Sequence, residues 1–152
     1  MKKLELLLDE LERYIPSLEK TNLEVSTASI GWQIDHCLIV INRVSNHLKD
    51  SNHDDYKWKF NLIRTLIFTL NTIKRGKVQA PKVALPEGEI TVESLKQKIN
   101  TSKTNVAEIQ LLNKNCFFPH PYFGDLNIKQ TQKFLVLHTT HHLKIIRDIS
   151  NK

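Results

Sequence analysis

The chain has 152 residues, 40% hydrophobic and 25% charged, with two cysteines and a formal net charge of +6 at pH 7. That balance is the one of a soluble globular domain with enough chain for a real core. It excludes a disulfide scaffold, because Cys37 and Cys116 stand alone with no CxxC. It also excludes a membrane-spanning helix, since no apolar run approaches the ~18–20 residues that one requires. The amino terminus turns acidic at Glu5, Asp9 and Glu10 before a signal-peptide apolar run can form, so a cytoplasmic location is expected. Charge is unevenly placed: residues 1–55 carry 6 basic and 10 acidic side chains (−4), residues 56–152 carry 16 and 6 (+10). The basic residues are scattered, with only Lys74, Arg75, Lys77 and Lys82 close together. A solvated basic face is therefore expected, and nucleic acid is not an expected partner.

Taken in order, the chain reads as helices. Leu4, Leu7, Leu8, Leu11 and Ile15 form a helical stripe that Pro16 ends or kinks. After a polar connector, Ser26 or Ser29 is a candidate N-cap for a second helix over about residues 30–48. Ile34, Cys37, Leu38, Ile41, Val44 and Leu48 make its apolar face, with His36 on the flank between Trp32 and Val40. Cys37 reads as a small core residue; His47 and His53 read as surface. Trp58, Leu62, Ile63, Leu66, Ile67, Leu70 and Ile73 predict a third helix, with Gly76 as its C′ residue.

The Pro-rich stretch 77–90 is an irregular connection, the kind of long crossover a bundle needs when successive helices run the same way. Thr91 caps a fourth helix with the stripe Val92, Leu95, Ile99, Val106, Ile109 and Leu112, and its polar middle, 100–105, is expected to fray or bend. Residues 115–126 carry four aromatics and read as a compact loop folded over one end of the bundle. Asn127 caps the last helix. No segment reads as a convincing strand, so the chain is expected to be a single all-α domain over 1–152, a four-helix bundle with an aromatic loop before the last helix.

The last helix carries the chemistry. Ile128, Thr131, Leu135, His138, His142, Ile145 and Ile149 fall at alternating spacings of three and four, one inward seam of a helix with 3.6 residues per turn. Two histidines thus sit one turn apart among Leu and Ile. A buried imidazole needs hydrogen-bond partners or a metal, and i, i+4 is the helical spacing that lets two ring nitrogens meet one ion. The plain alternative is a pair of core or interface histidines bonded to other side chains. With His36, three imidazoles from two helices could converge, and three neutral imidazoles plus an open position is the pattern of a catalytic metal site.

Two motifs carry a resemblance. One is Ser26-x-x-Ser29-x-Gly31-Trp32-x-x-x-His36; the other is His120-Pro-Tyr-Phe-Gly-Asp-Leu leading into Phe134-x-x-x-His138-x-x-x-His142-Leu. Together the chain resembles the DinB-like (DinB/YfiT) superfamily, specifically a branch with an HPxFG loop before the HxxxH helix. The resemblance implies an up-down-down-up four-helix bundle and a divalent metal, most often zinc or nickel, held by His36, His138 and His142. His141 is a spare that could bind at i+3 or orient a ligand. The implied activities are thiol-dependent transfer, with a low-molecular-weight thiol as partner, or metal-dependent hydrolysis; the alternative is a non-catalytic, stress-related binding protein. A homodimer is also implied. His120 is the candidate catalytic residue, placed by its loop near the open position as an extra ligand or proton carrier, unless the loop only plugs the bundle end with Tyr122 and Phe123 packed inward. Glu108 and Asp125 are candidates as bases by position alone.

Overall fold

A computed structural model describes residues 2–76 and 81–151. Its framework is four helices whose apolar stripes cover one another. α1 (Lys2–Arg13) buries Leu4, Leu7, Leu8 and Leu11, and Pro16 lies in the 3-10 turn Ile15–Ser17 that follows it. α2 (Ile30–Asp50) starts at Ser29, whose hydroxyl accepts the Trp32 amide. Counting a short α3 (Leu62–Leu70) described below, the next long helix is α4 (Val92–Ile109), capped by a reciprocal Thr91–Ser94 box. α5 (Ile128–Ser150) is capped in the same way by Asn127 and Gln130. Such boxes satisfy amide donors that a helix start leaves unpaired.

α1 and α2 each pack on both α4 and α5, and apolar residues of all four join in one contiguous core. Polar contacts give the directions. Asp35–Lys98, Asn42–Ser102 and Lys49–Glu108 advance along α2 and α4 together, so these helices run parallel. Gln33 meets His142 and His36 meets His138, so α2 and α5 run antiparallel.

The all-α expectation is overturned. Residues 117–127 form an antiparallel hairpin, β1 (Phe117–His120) with β2 (Gly124–Asn127), paired Phe117 to Asn127 and His120 to Gly124. The protein is mostly helical but is not a pure four-helix bundle. Two prolines, Pro119 and Pro121, mask the strand signal. A proline cannot donate to a ladder and demotes a strand reading, yet it is tolerated in a two-stranded ribbon with free edges. Gly124, at φ +68°, takes the turn conformation that other residues avoid.

The third helix is also shorter than its apolar spacing predicts. α3 ends at Asn71, which adopts the left-handed conformation at φ 50° in place of the expected Gly76. Trp58 lies before it and is exposed, and Leu62, Leu66 and Leu70 are 69%, 56% and 60% exposed, so α3 is a cover and not a core helix. Arg64 is its buried anchor at 5% exposure. The guanidinium donates to the carbonyls of Lys59, Phe123 and Asp125, which ties α3 to the hairpin.

The middle of α4 does not fray. Ser102 and Asn105 are buried and both donate to the Asn42 side chain, while Lys49 reaches Asn105, so the polar run is a satisfied seam against α2. Part of the crossover, residues 77–80, lies outside the described residues. Among the described residues no helix is long and apolar enough to cross a membrane.

Candidate metal centre

The antiparallel pairing of α2 and α5 brings three imidazoles together. The rings of His36, His138 and His142 lie with centroids 4.6–5.0 Å apart. One ring nitrogen from each falls within 4.8 Å of the others, so the group could hold a metal ion. His36 is 3% exposed; His138 and His142 are partly buried along one wall of a cleft. Trp32, one turn before His36, stacks on its ring at 5.2 Å and 13°, which fixes the ring plane.

Hydrogen bonds decide which nitrogens face inward. The His36 Nδ1 lies 2.7 Å from the Ala84 carbonyl, and the His142 Nδ1 lies 2.7 Å from Gln33 Oε1. Both partners only accept, so each Nδ1 carries the proton and each Nε2 presents a lone pair. The Gln33 amide is oriented in turn by donating to the Ser26 hydroxyl at 3.3 Å. His36 Nε2 and His138 Nε2 stand 3.2 Å apart. Two nitrogens bound at ~2.0–2.1 Å to one tetrahedral ion would be separated by about 3.3 Å. The buried His138 Nδ1 has no hydrogen-bond partner among the described residues. Two ring nitrogens at this spacing, with acceptors behind two of the three rings, fit a metal ion held by imidazoles.

The electrostatics favour the neutral, ligating form. Burial pushes the His36 pKa down, against smaller opposing effects of the Ala84 carbonyl and Asp35. Burial lowers His142 to about 2, helped by His36 and His141. Burial and the neighbouring imidazoles drive His138 well below its ordinary value. Asp35 does not face the group: it is 1% exposed and bonded to Lys98 at 2.6 Å on the α4 side.

The remaining candidates fall elsewhere. His141 stands outside the three-histidine group; its ring meets His142 edge-on at 5.1 Å and it is hydrogen-bonded to the backbone of Ile73, tying down the segment after α3. His120 lines the same cleft but is built into the hairpin. It stacks on Phe123 at 4.2 Å and meets Phe134 edge-on at 4.6 Å. Its Nδ1 accepts the amides of Tyr122 and Phe123, each at 3.2 Å, so in the neutral ring the proton sits on Nε2. Burial lowers its pKa to about 4. Phe123 packs inward as expected, whereas Tyr122 is 49% exposed. Glu108 pairs with Lys49, and neither it nor Asp125 lines the cleft. Cys37 is fully buried, with its thiol pKa pushed far up by burial, and is no nucleophile.

Sequence reading missed Gln33 and the Ala84 carbonyl. Gln33 had a signal, because it precedes His36 by three residues and so shares its face of α2. The Ala84 carbonyl had none. Compared with family models, with curated proteins and with solved structures, the chain gives no match.

Proposed function

We propose that this protein is a metal-dependent enzyme of DinB-like type, acting as a thiol-dependent transferase or a hydrolase on a small molecule. The observation that carries the reading is the convergence of three imidazoles from two helices, each offering one ring nitrogen, along an open cleft. His36, His138 and His142 would hold one divalent ion, zinc or nickel. When bound, such an ion supplies Lewis acidity that activates a coordinated oxygen or sulfur at neutral pH. Three protein ligands leave at least one position for substrate.

The chain's own residues have separable tasks in this reading. Gln33 and the Ala84 carbonyl hold two imidazoles in the ligating tautomer. Trp32 fixes the plane of His36. His120, neutral and with its proton on Nε2, serves as a hydrogen-bond donor to the substrate and not as a ligand. The apolar walls of the cleft exclude water from the reacting group.

A second reading, a non-catalytic binding protein, is favoured by the lack of a carboxylate near the imidazoles: Asp50 is the one acid among the described lining residues, and it lies fourteen residues along α2 from His36. Metal analysis of tag-free protein separates the site from its absence. One ion per chain is expected, lost in the His138→Ala/His142→Ala variant; stoichiometry that survives that double change refutes the site. Metal-dependent thiol conjugation or ester hydrolysis by the wild type then distinguishes enzyme from binder.

A further inference from the structure

We propose that the outward face of α3, together with the segment leading into it, docks on a bilayer surface rich in anionic phospholipid. Docking there is separate from the proposed function and stands whether or not the three histidines hold a metal.

α3 is apolar on two sides and covered on one. Arg64 is buried, and the partly buried Ile67 and Phe68 pack against the core from the same side. At ~100° per residue, Leu66 lies about 160° from Arg64. Leu62, Leu66 and Leu70, spaced by four, fall within about 80° of one another on the side facing away. All three are exposed, and none of them lines the cleft, which α3 meets through Ile63 and Ile67. A helix that is hydrophobic all round is ordinarily covered all round. The apolar surface continues back along the chain to Trp58 and Phe60, both exposed. Tyr122 adds another exposed ring, held close by the Asn61 side-chain amide, which donates to its carbonyl.

Charge selects what covers this face. Residues 56–76 carry five basic side chains, Lys57, Lys59, Arg64, Lys74 and Arg75, and no acidic one. Lys57 and Lys59 alternate with Trp58 and Phe60, and all four are exposed. Lys133 of α5 stands 5.5 Å over the Phe68 ring, a further exposed cation beside α3. The nearest acids before the segment, Asp54 and Asp55, have His53 and Asn52 as partners in the turn 53–55. Asp125 of the hairpin has Arg64 beside it. Leucines and aromatic rings interleaved with lysines suit a bilayer interface, with rings at headgroup depth and cations against anionic headgroups. The nine residues of α3 make a helix ~13 Å long, under half of the ~30 Å hydrocarbon thickness, so it lies on the bilayer and does not span it. A second copy of the chain fits less well. A two-fold contact would set Lys57 and Lys59 against their own copies, with no acid in 56–76 to answer them.

Co-sedimentation of the full-length chain with sucrose-loaded vesicles of phosphatidylglycerol or of phosphatidylcholine tests the proposal. At least tenfold tighter binding to phosphatidylglycerol is expected. A lysine near an anionic bilayer is worth about fivefold, so Lys57→Gln/Lys59→Gln should lose at least tenfold of that affinity. Leu66→Ser/Leu70→Ser should lose as much, whereas Leu6→Ser, at an equally exposed leucine on α1, should bind like the parent. All these positions are exposed, and circular dichroism checks that each variant keeps its helices. Equal binding to the two lipids, no binding to phosphatidylglycerol, or parent-like binding by the Leu66→Ser/Leu70→Ser variant would overturn the proposal. So would a lipid-free dimer in sedimentation velocity that the same variant dissociates, because a second copy would then be what covers the face.

Discussion

Gln33→Leu tests whether the metal centre depends on its outer contacts. Gln33 is 3% exposed, and its Oε1 accepts the His142 Nδ1–H at 2.7 Å, which keeps the Nε2 lone pair on the inner side. Leucine fills nearly the same volume but accepts nothing. In the metal-free protein the imidazole can move its proton to Nε2 and ease part of the loss. To bind metal it must return that proton to a buried Nδ1 with no acceptor, at a cost of about 1–3 kcal/mol. Loss of such an outer-shell partner generally weakens a metal site by about 10–100-fold, which is about 1.4–2.8 kcal/mol. The two estimates overlap, so a metal Kd raised by one to two orders of magnitude is expected. Competition against a chromophoric chelator, on tag-free protein, measures it. Gln33→Glu restores an acceptor and should recover most of the affinity, whereas a purely structural role would leave both variants equally impaired. If the parent binds one ion and Gln33→Leu binds it within threefold as tightly, the tautomer argument is refuted.

Other perturbations have equally definite outcomes. Gly31→Ala places a Cβ 3.0 Å from the Leu18 carbonyl oxygen and 3.1 Å from its Cβ, in a turn whose Leu18 carbonyl already accepts the Gly31 amide at 2.7 Å. Overpacking of about 1–3 kcal/mol offsets or outweighs the ~1 kcal/mol helix-propensity gain, so urea unfolding should show a net loss of up to about 2 kcal/mol, and a gain in stability would contradict the packing. Arg64→Met strands three carbonyls at the α3–hairpin contact. Hydrogen exchange across Leu62–Leu70 should accelerate while α2 and α5 keep their protection; uniform loss would mean that α3 belongs to the core. Acid should destabilise the chelator-treated protein through His120. Its folded pKa of about 4 is below the ordinary 6.5, so the native state binds fewer protons. The stabilising contribution is complete above pH 6.5 and is lost as pH falls towards 4, at about 1.4 kcal/mol per pH unit. His120→Asn should flatten the stability–pH curve in that window by about this slope, and an unchanged curve would remove His120 as a cause.

What the amino-acid order determined by itself is local and periodic. A 3.6-residue repeat is written into any stretch that buries one face, so α1, α2, α4 and α5, with their Ser29, Thr91 and Asn127 caps, are readable without coordinates. The i, i+4 pair His138 and His142 is readable for the same reason, since two residues a turn apart face one way whatever lies opposite. Apolar spacing alone misled for Leu62, Leu66 and Leu70, because a periodic stripe shows that a helix can form and not that anything covers it. The hairpin escaped because strand pairing joins residues that carry no period in common, and Pro119 within β1 and Pro121 just after it argue against the first strand taken alone. Tertiary structure alone decided that His36 Nε2 meets His138 Nε2 and that the Ala84 carbonyl stands behind His36. Every residue has a carbonyl and every imidazole has two nitrogens, so only the path of the chain in space selects which ones meet.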